Sequence, residues 1–361
     1  MDTRAGATIP ELVGVDMGVD RGAGVNGATK VVLPSGAATA IGSLPHTDPR
    51  AAAAFVLEHL PHLPAVPSLP RRHPAETLLG QVTSGVRGMS LDDDGRLVLD
   101  IARVDPMAAV VPDLEHPAFG GLRAFCDVAK GHTGLVKWQM VGPVTLGGVL
   151  MRRGLPMRLA YDMAVRTVRL HLRAIYRYVD AHLPGCGQVV FLDEPSLAHL
   201  QDPSFPMPAD AALDVVSGAL AAVEPISPGG IHCCHIDADP ATLLAAGPTI
   251  LSVPAQPGLV RAAGYLARFL DNGGWIAWGV VPSDGPVASA DHYWRELSAL
   301  WCDLVRGGCD AGALRRQAFI TPHCGLAAHD EESASRVLAV VAEIAGKVAG
   351  QAVATLLSLG A

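Results

Sequence analysis

The stretch QVVFLDEP, residues 188–195, decides the fold class. Residues 189–192 are consecutive apolar residues, so both faces of an extended segment would be apolar here. Parallel strands covered by helices on both sides have this pattern, whereas half-exposed strands alternate apolar and polar residues. The two acidic residues and the proline that follow indicate where the chain leaves the sheet. The stretch therefore predicts a buried strand of an α/β fold.

Seven other short apolar stretches have the same character, and longer amphipathic segments separate them. The clearest helix is predicted over 156–182, where apolar residues recur every three or four positions and arginines occupy the opposite face. Eight strands alternating with helices predict a single (β/α)8 TIM barrel over 37–361, with an insertion at 70–133 between strands two and three. The seven stretches are TAIGS (39–43), AVPSL (65–69), LVKWQM (135–140), GGIHC (229–233), TILSV (249–253), WIAWGV (275–280) and AFITP (318–322).

The rest of the chain and its composition set limits on function. Residues 1–36 lack a sustained apolar period and are expected to be a flexible, poorly ordered lead-in. We find no signal-peptide pattern and no run of about 20 apolar residues, so we expect a cytoplasmic protein without a membrane-spanning helix. Its seven cysteines are then expected to be reduced. The net charge of −8 and the absence of a Lys/Arg cluster argue against a nucleic-acid partner.

Polar residues follow five of the predicted strands at the same end. In a barrel of this kind, active sites lie at the C-terminal ends of the strands. Polar residues scattered through a core would not sort to one end in this way, so we expect a site there. The residues are Ser43 and His46 after strand one, Gln139 at the end of strand three, Asp193 and Glu194 after strand four, His232 to His235 after strand five, and His323 and Cys324 after strand eight.

The sequence HCCH, residues 232–235, contains residue types that bind zinc. In an extended strand, His232 and Cys234 point to the same side and Cys233 to the other. Cys324, at the end of strand eight, is expected to reach the same rim. Two thiolates and one imidazole suit tetrahedral zinc and leave one position open, as in catalytic sites.

Other interpretations of these residues stay open at this stage. Free cysteines are among the most buried residue types, and a single one is usually a core residue. His235 and His323 each adjoin an expected ligand. For each of them the sequence leaves three roles open: a substitute ligand, a residue that holds a ligand in place, or a surface residue. Cys126, Cys186, Cys302 and Cys309 have no such neighbours and are expected to be structural.

Adjacent carboxylates on a strand point to opposite faces. We expect Asp193 or Glu194 to face the pocket, where a carboxylate suits the cationic amine of a substrate, and the other to pair with a neighbouring strand or loop. The alternative is a carboxylate that only caps a helix or braces a loop. The hydroxyl of Ser43 and nearby N–H groups are suited to binding a carboxylate.

The motifs AIGSLPHT, GPVTL, FLDEPSL, HCCHID and TPHCGL, in this order, resemble the catalytic barrel of cobalamin-independent methionine synthase, within the superfamily that includes uroporphyrinogen decarboxylase. The resemblance covers about residues 37–348. It implies that His232, Cys234 and Cys324 bind Zn²⁺, that Asp193 holds the amine of homocysteine, and that Ser43 holds its carboxylate. The strand-end position adds Gln139 and His46 to the expected substrate-binding residues. The implied reaction is methyl transfer to a thiol, most simply homocysteine to methionine, with Asp193 as the catalytic carboxylate.

The sequence departs from the family pattern in three ways. The family's exchangeable glutamate ligand after strand six corresponds to Pro254, which cannot bind a metal. Three alternatives follow: His323, His235 or Cys233 substitutes for it, water completes the shell, or the protein no longer binds zinc well. Long family members carry an additional N-terminal barrel that helps bind the folate donor, and we predict one barrel here. The donor is therefore expected to be methyltetrahydrofolate or, in place of it, a methyl-corrinoid protein or another carrier. A second carboxylate for the substrate amine has no clear counterpart except Glu76. A uroporphyrinogen-decarboxylase-like enzyme and a non-catalytic thiol- or metal-binding relative remain as alternatives.

Overall fold

The computed structural model describes residues 31–105 and 108–359. Its main feature is a curled sheet of seven parallel strands in the order β1-β9-β8-β7-β6-β5-β4, and an antiparallel β2-β3 hairpin stands apart from it. The α/β class and the parallel strands agree with the sequence prediction, but the described residues form a curled sheet of seven strands and not the predicted closed barrel of eight. The strands are β1 (Ala37–Ala38), β2 (Met89–Leu91), β3 (Leu97–Leu99), β4 (Gly134–Val141), β5 (Cys186–Asp193), β6 (Gly229–His232), β7 (Ile250–Pro254), β8 (Trp275–Val281) and β9 (Ala318–Pro322).

The predicted strand at 65–69 does not form. Pro64 and Pro67 have no N–H to donate, so this segment cannot build a continuous ladder. It makes isolated bridges instead: the N–H of Val66 donates to the carbonyl of Lys137 at 2.7 Å, and the N–H of Ser68 donates to the carbonyl of Gly42 at 3.1 Å. The segment thereby contacts both edges of the seven-stranded sheet.

The first predicted strand, 39–43, is also misplaced. The observed strand is β1, and its pairing with β9 ends after the N–H of Thr39 donates to the carbonyl of Ile320. Gly42 has a φ of +143°, a conformation that L side chains rarely adopt, so the chain turns there rather than staying extended. This turn brings Ser43 to the end of the sheet that carries the site.

Helices cover the outer face of the sheet. The predicted helix at 156–182 is confirmed as α5, and at the start of the last helix the N–H of Ser333 donates a hydrogen bond to Asp330 at 2.7 Å. The helices are α1 (Pro49–His59), α2 (Leu78–Thr83), α3 (Gly120–Val128), α4 (Pro143–Arg152), α5 (Met157–His182), α6 (Ala209–Leu220), α7 (Pro240–Ala245), α8 (Ala263–Asp271), α9 (Ala290–Arg306), α10 (Ala311–Arg316) and α11 (Glu331–Leu359).

Helix α11 is long and apolar enough, by length and composition alone, to cross a membrane. Its apolar stripe is nevertheless buried in the main core of the protein, through Val337, Val341, Ile344 and Val348. A core helix of a globular domain has this combination of features.

The insertion at 70–133 forms structure of its own. It contains α2, the β2-β3 hairpin and α3, and the turn of the hairpin is the DDDG segment at 92–95. Most of the predicted lead-in lies outside the described residues. Of its last six residues, Val31 and Leu33 pack against an apolar cluster that includes Phe191 and Phe319.

Candidate metal centre

Three neighbouring strands place polar side chains side by side at the C-terminal end of the sheet. In the strand register, Asp193 of β5 lies opposite His232 of β6, and His232 lies opposite Ser252 of β7. All three residues are buried. Paired residues of adjacent strands point to the same face, so this row forms a polar layer above the apolar cluster.

The nitrogen or sulfur atoms of His232, Cys234 and Cys324 lie within 4.8 Å of one another. His232 is the last residue of β6 and Cys234 follows it, whereas Cys324 follows β9. The curvature of the sheet brings the three residues together. Cys233 is fully buried in the main apolar core, as expected from strand alternation. Within residues 31–105 and 108–359, no other His, Cys, Asp or Glu joins this group of three.

The donor set fits a zinc ion. His232 Nδ1 makes a 3.0 Å hydrogen bond with Ser252 Oγ, while His232 Nε2 is buried without a partner among the described residues. A histidine that binds a metal through one nitrogen typically has its other nitrogen fixed by such a hydrogen bond. A buried polar atom without a partner is costly, and a metal ion would satisfy it.

The two thiols are coupled. Their mutual hydrogen bond lowers the pKa of Cys234 and raises the pKa of Cys324 to about 12. Cys234 is therefore the first thiol to ionise, and ionisation of both requires a nearby positive charge. A dication supplies that charge, because thiolates are its ligands and metal binding releases their protons.

We expect Ser252→Ala to weaken zinc binding about 10- to 100-fold, the usual effect of removing a group that orients a metal ligand. His232 would keep its nitrogen donor and lose the hydrogen bond that fixes the ring. The measurement is competition with a chromogenic chelator. Ser227→Ala is the matched control, because Ser227 is a buried serine that donates to the carbonyl of Gln188 instead. Equal affinity in the Ser252→Ala variant and the native chain would contradict this role.

The two carboxylates at the end of β5 have different environments. Glu194 accepts hydrogen bonds from the N–H groups of Val144 and Thr145, at 2.8 and 2.7 Å, and from the Thr145 hydroxyl at 2.6 Å. It therefore satisfies the first N–H groups of α4, and burial raises its pKa to about 7. Asp193 Oδ1 is buried and has no partner among the described residues. Burial raises the pKa of Asp193, and the charges of His232 and Lys137 oppose that shift.

A cavity of about 600 Å³ lies in front of these groups. Its inner wall includes Asp193 and the three residues of the His232–Cys234–Cys324 cluster, together with Ser43 and Gln139. Ser43 packs so closely against Gly325 that a Cβ at that glycine would overlap its hydroxyl. The outer wall comes largely from the insertion and α4, and is mostly apolar: Pro70, Leu78, Leu79, Leu97 and Val149, with Arg96 and Arg153.

Four of the predicted residues lie elsewhere or have another role. His46 is buried against Phe55, with ring centroids 4.6 Å apart, and does not line the cavity. His323 and His235 are outside the cluster; burial lowers the pKa of His323, and His235 is exposed beside Asp237. Glu76 does line the cavity, but it accepts from the N–H groups of Leu69 and Gly121 and from Arg72, so it braces the insertion. Burial raises the pKa of Glu76.

Two residues of this site escape the sequence prediction. Ser252 is an ordinary residue within an apolar strand, and only the register of β6 and β7 reveals that it supports His232. Lys137 is a different case, because a lysine near the centre of the apolar stretch LVKWQM is itself a signal. Charged residues are almost never fully buried unless they are paired.

Comparison with known proteins gives a likeness of fold. No protein-family model matches this sequence, and no curated protein matches it significantly. A B12-independent methionine synthase from Shewanella sp. W3-18-1, in complex with selenomethionine, is similar with a TM-score of 0.56 and 13% identity over 89% of this chain and 99% of that chain. A putative vitamin-B12 independent methionine synthase from Listeria monocytogenes has a TM-score of 0.56 and 14% identity over 84% and 86%.

A third structure, GH5_18 from Streptomyces cattleya in complex with GlcNAc, has a TM-score of 0.44 and carries no argument about function. At 13% and 14% identity, the two methionine synthases bear on the fold alone. The described part of this chain therefore has a fold similar to that of B12-independent methionine synthases.

Proposed function

We propose that this protein is a zinc-dependent methyltransferase that transfers a methyl group to the sulfur of a thiol, with homocysteine as acceptor and methionine as product. The observation that carries the proposal is the grouping of His232, Cys234 and Cys324 beside the unpartnered carboxylate of Asp193 in one cavity. The similar fold of the two methionine synthases supports it.

His232, Cys234 and Cys324 would hold the zinc ion. A bound zinc ion lowers the pKa of a thiol, so that the more nucleophilic thiolate is present at neutral pH. Ser252 keeps the His232 ring oriented through Nδ1. Three protein ligands leave room for a further ligand, as catalytic zinc sites require. Pro254, the last residue of β7, has no side-chain atom that binds a metal, so β7 supplies no carboxylate to fill the open coordination position.

Asp193 would bind the ammonium group of the acceptor. Its Oδ1 is buried without a described partner, and a charged hydrogen bond to an ammonium would satisfy it. Burial strengthens this interaction because little water screens the cavity wall. Fixing the amine in this way orients the acceptor sulfur toward the methyl donor, and orientation is a large part of catalysis in a two-substrate reaction.

The methyl group of the donor reaches the acceptor through the outer part of the cavity. A volume of about 600 Å³ is within the range that accepts drug-sized ligands, so it exceeds the needs of one small amino acid. In the reaction the acceptor S–H loses its proton, to the departing nitrogen of a folate donor or to water with a corrinoid donor, and an S–CH3 bond forms. The donor's bond to the methyl group breaks, and the donor leaves with that electron pair. Methyltetrahydrofolate and a methyl-corrinoid protein both meet this balance.

Two other functions are alternatives, and an assay for methionine formation distinguishes them. A decarboxylase acting on a substrate with several carboxylates needs several cationic groups in its pocket, and the arginines and lysines among the described lining residues are Arg96 and Arg153. A non-catalytic thiol- or metal-binding protein is favoured by Pro254, which replaces a ligand expected from the family.

The test is methionine formation by the zinc-loaded protein from homocysteine, with methyltetrahydrofolate and methylcobalamin supplied in parallel reactions. We expect turnover with one of the two donors, and loss of it in Cys324→Ser. Zinc and homocysteine binding without turnover would favour the non-catalytic alternative. Absence of zinc binding in the native chain would overturn the proposal.

A further inference from the structure

Cys234 and Cys324 are the two thiols that line the cavity within the described part of the chain. Their sulfur atoms lie within 4.8 Å of each other, and both side chains are partly exposed. A disulfide bond is about 2.05 Å long, so the two sulfur atoms are neighbours that are not bonded. The cavity in front of them, at about 600 Å³, admits molecules much larger than a peroxide. The pair therefore combines a short separation with access from solvent.

The backbone at both cysteines lies beyond the ladders of the sheet. The N–H of Cys233 still donates to β7 at 3.0 Å, and the N–H of His323 still donates to β8 at 2.8 Å. Cys234 and Cys324 each follow by one residue and belong to no helix or strand. Closing the gap between the sulfur atoms requires rotation about the Cα–Cβ bonds and a small shift of these two residues, and it leaves every strand intact.

The other five cysteines do not offer Cys234 a comparable partner. Cys233 is its neighbour in the chain, but the Cys233 side chain is fully buried in the main apolar core and points the other way. A bond between these two adjacent residues would require that side chain to leave the core. The remaining cysteines, which are absent from the described cavity lining, are Cys126, Cys186, Cys302 and Cys309.

Zinc and a disulfide compete for the same two sulfur atoms. Zinc binds cysteine as the thiolate, and a sulfur atom in a disulfide carries no negative charge. Oxidation would remove two of the three proposed ligands and leave His232 as the remaining one. By linkage, zinc must then oppose oxidation to the same extent that oxidation opposes zinc binding.

We propose that Cys234 and Cys324 form a redox switch, in which a peroxide converts the two thiols to a disulfide and the chain releases its zinc. One sulfur attacks the peroxide, the O–O bond breaks, and a sulfenic acid and one water form. The second thiol displaces the sulfenic oxygen as another water, and the S–S bond forms. A dithiol reductant reverses the change by exchange. The consequence for catalysis rests on the proposed function, whereas the disulfide rests on the positions of the two sulfur atoms.

The test exposes metal-free protein to stoichiometric hydrogen peroxide, in a Cys302→Ser background that removes an exposed thiol. We expect each chain to lose two alkylatable thiols, and peptide mapping by mass spectrometry to find Cys234 linked to Cys324. Zinc affinity should fall more than about 100-fold, because an orienting group alone is worth 10- to 100-fold and two ligands are lost. Dithiothreitol should restore both thiols and zinc binding.

A second measurement quantifies the competition between zinc and the disulfide. The protein is equilibrated with mixtures of reduced and oxidised dithiothreitol, and the midpoint of disulfide formation is compared without zinc and with buffered free zinc. Free zinc at about 100 times its dissociation constant should shift the midpoint ratio about 100-fold toward the oxidised reagent. An unshifted midpoint would show that the oxidised thiols are not the zinc ligands and would overturn the inference.

Cys233→Ser is the matched control, and it should still lose two thiols, whereas Cys324→Ser should form no cross-link. The map of the Cys302→Ser chain decides the question even if these variants do not fold. A cross-link between Cys233 and Cys234, or oxidation to sulfinic acid without a cross-link, would overturn the inference. If the switch operates but no methionine forms, the proposed function fails and this inference stands. Methionine formation by a chain that forms no cross-link would leave the proposed function intact and refute the switch.

Discussion

Replacing Cys324 by serine is expected to lower the affinity for zinc by more than about 100-fold. Removing a group that merely orients a ligand costs 10- to 100-fold, and Cys324 is one of the three proposed ligands. A serine hydroxyl is a weak, neutral donor for zinc, whereas a thiolate is a preferred one. Chelator competition on the purified variant measures the change.

Cys309→Ser is the matched control for this experiment. Cys309 is a buried thiol that donates to the carbonyl of Ala263 in α8 and does not belong to the His232–Cys234–Cys324 cluster. Its replacement should leave zinc affinity unchanged. If Cys324→Ser and Cys309→Ser bind zinc as tightly as the native chain, Cys324 is not a ligand and the zinc site is not the His232–Cys234–Cys324 cluster.

Replacing Asp193 by asparagine is expected to reduce kcat/KM for homocysteine by roughly 30-fold or more. Removing one partner of a buried charge pair costs about 2–5 kcal/mol, and each 1.4 kcal/mol is tenfold. The asparagine has nearly the same shape but no negative charge to bind the acceptor's ammonium. Zinc content should not change, since Asp193 lies beside the metal cluster without belonging to it.

The control for Asp193 is a change of ligand. The native chain and Asp193→Asn should bind 4-mercaptobutanoate, which lacks the amine, with similar affinity. A loss of equal size for this ligand and for homocysteine would mean that Asp193 maintains the structure of the site rather than holding an ammonium.

Much of the fold follows from local sequence pattern. Stretches that are apolar on both faces, such as QVVFLD, form the buried strands, because only helix-covered strands have no polar face. The stretch AVPSL has similar apolar content but does not form a strand, since its proline cannot join a ladder. The apolar content of a segment therefore predicts a strand less well than the number of backbone N–H groups that the segment can donate.

The site was harder to predict, because it depends on contacts between distant strands. Alternation of the extended chain just after β6 puts Cys234 and Cys233 on opposite sides, and this follows from the local sequence. The support of His232 by Ser252 depends on strand register, which the sequence of neither strand contains. Which of Asp193 and Glu194 faces the cavity depends on the position of α4, whose N–H groups engage Glu194.

His46 and Lys137 illustrate opposite errors in that prediction. His46 follows the first strand, but the turn at Gly42 and the packing of Phe55 direct it away from the cavity. Lys137 precedes the end of its strand by several residues, so a search confined to strand ends passes over it. A charge inside an apolar strand is a signal in its own right, because burial of a lysine requires specific partners.

We expect a zinc ion held by His232, Cys234 and Cys324 to make the chain bind its acceptor through sulfur. The most direct measurement compares L-homocysteine with L-homoserine, its oxygen counterpart, for binding to zinc-loaded and metal-free protein. We predict that zinc strengthens homocysteine binding at least about tenfold and leaves homoserine binding unchanged, since zinc prefers thiolate over hydroxyl. Equal homocysteine affinity with and without zinc would contradict the account.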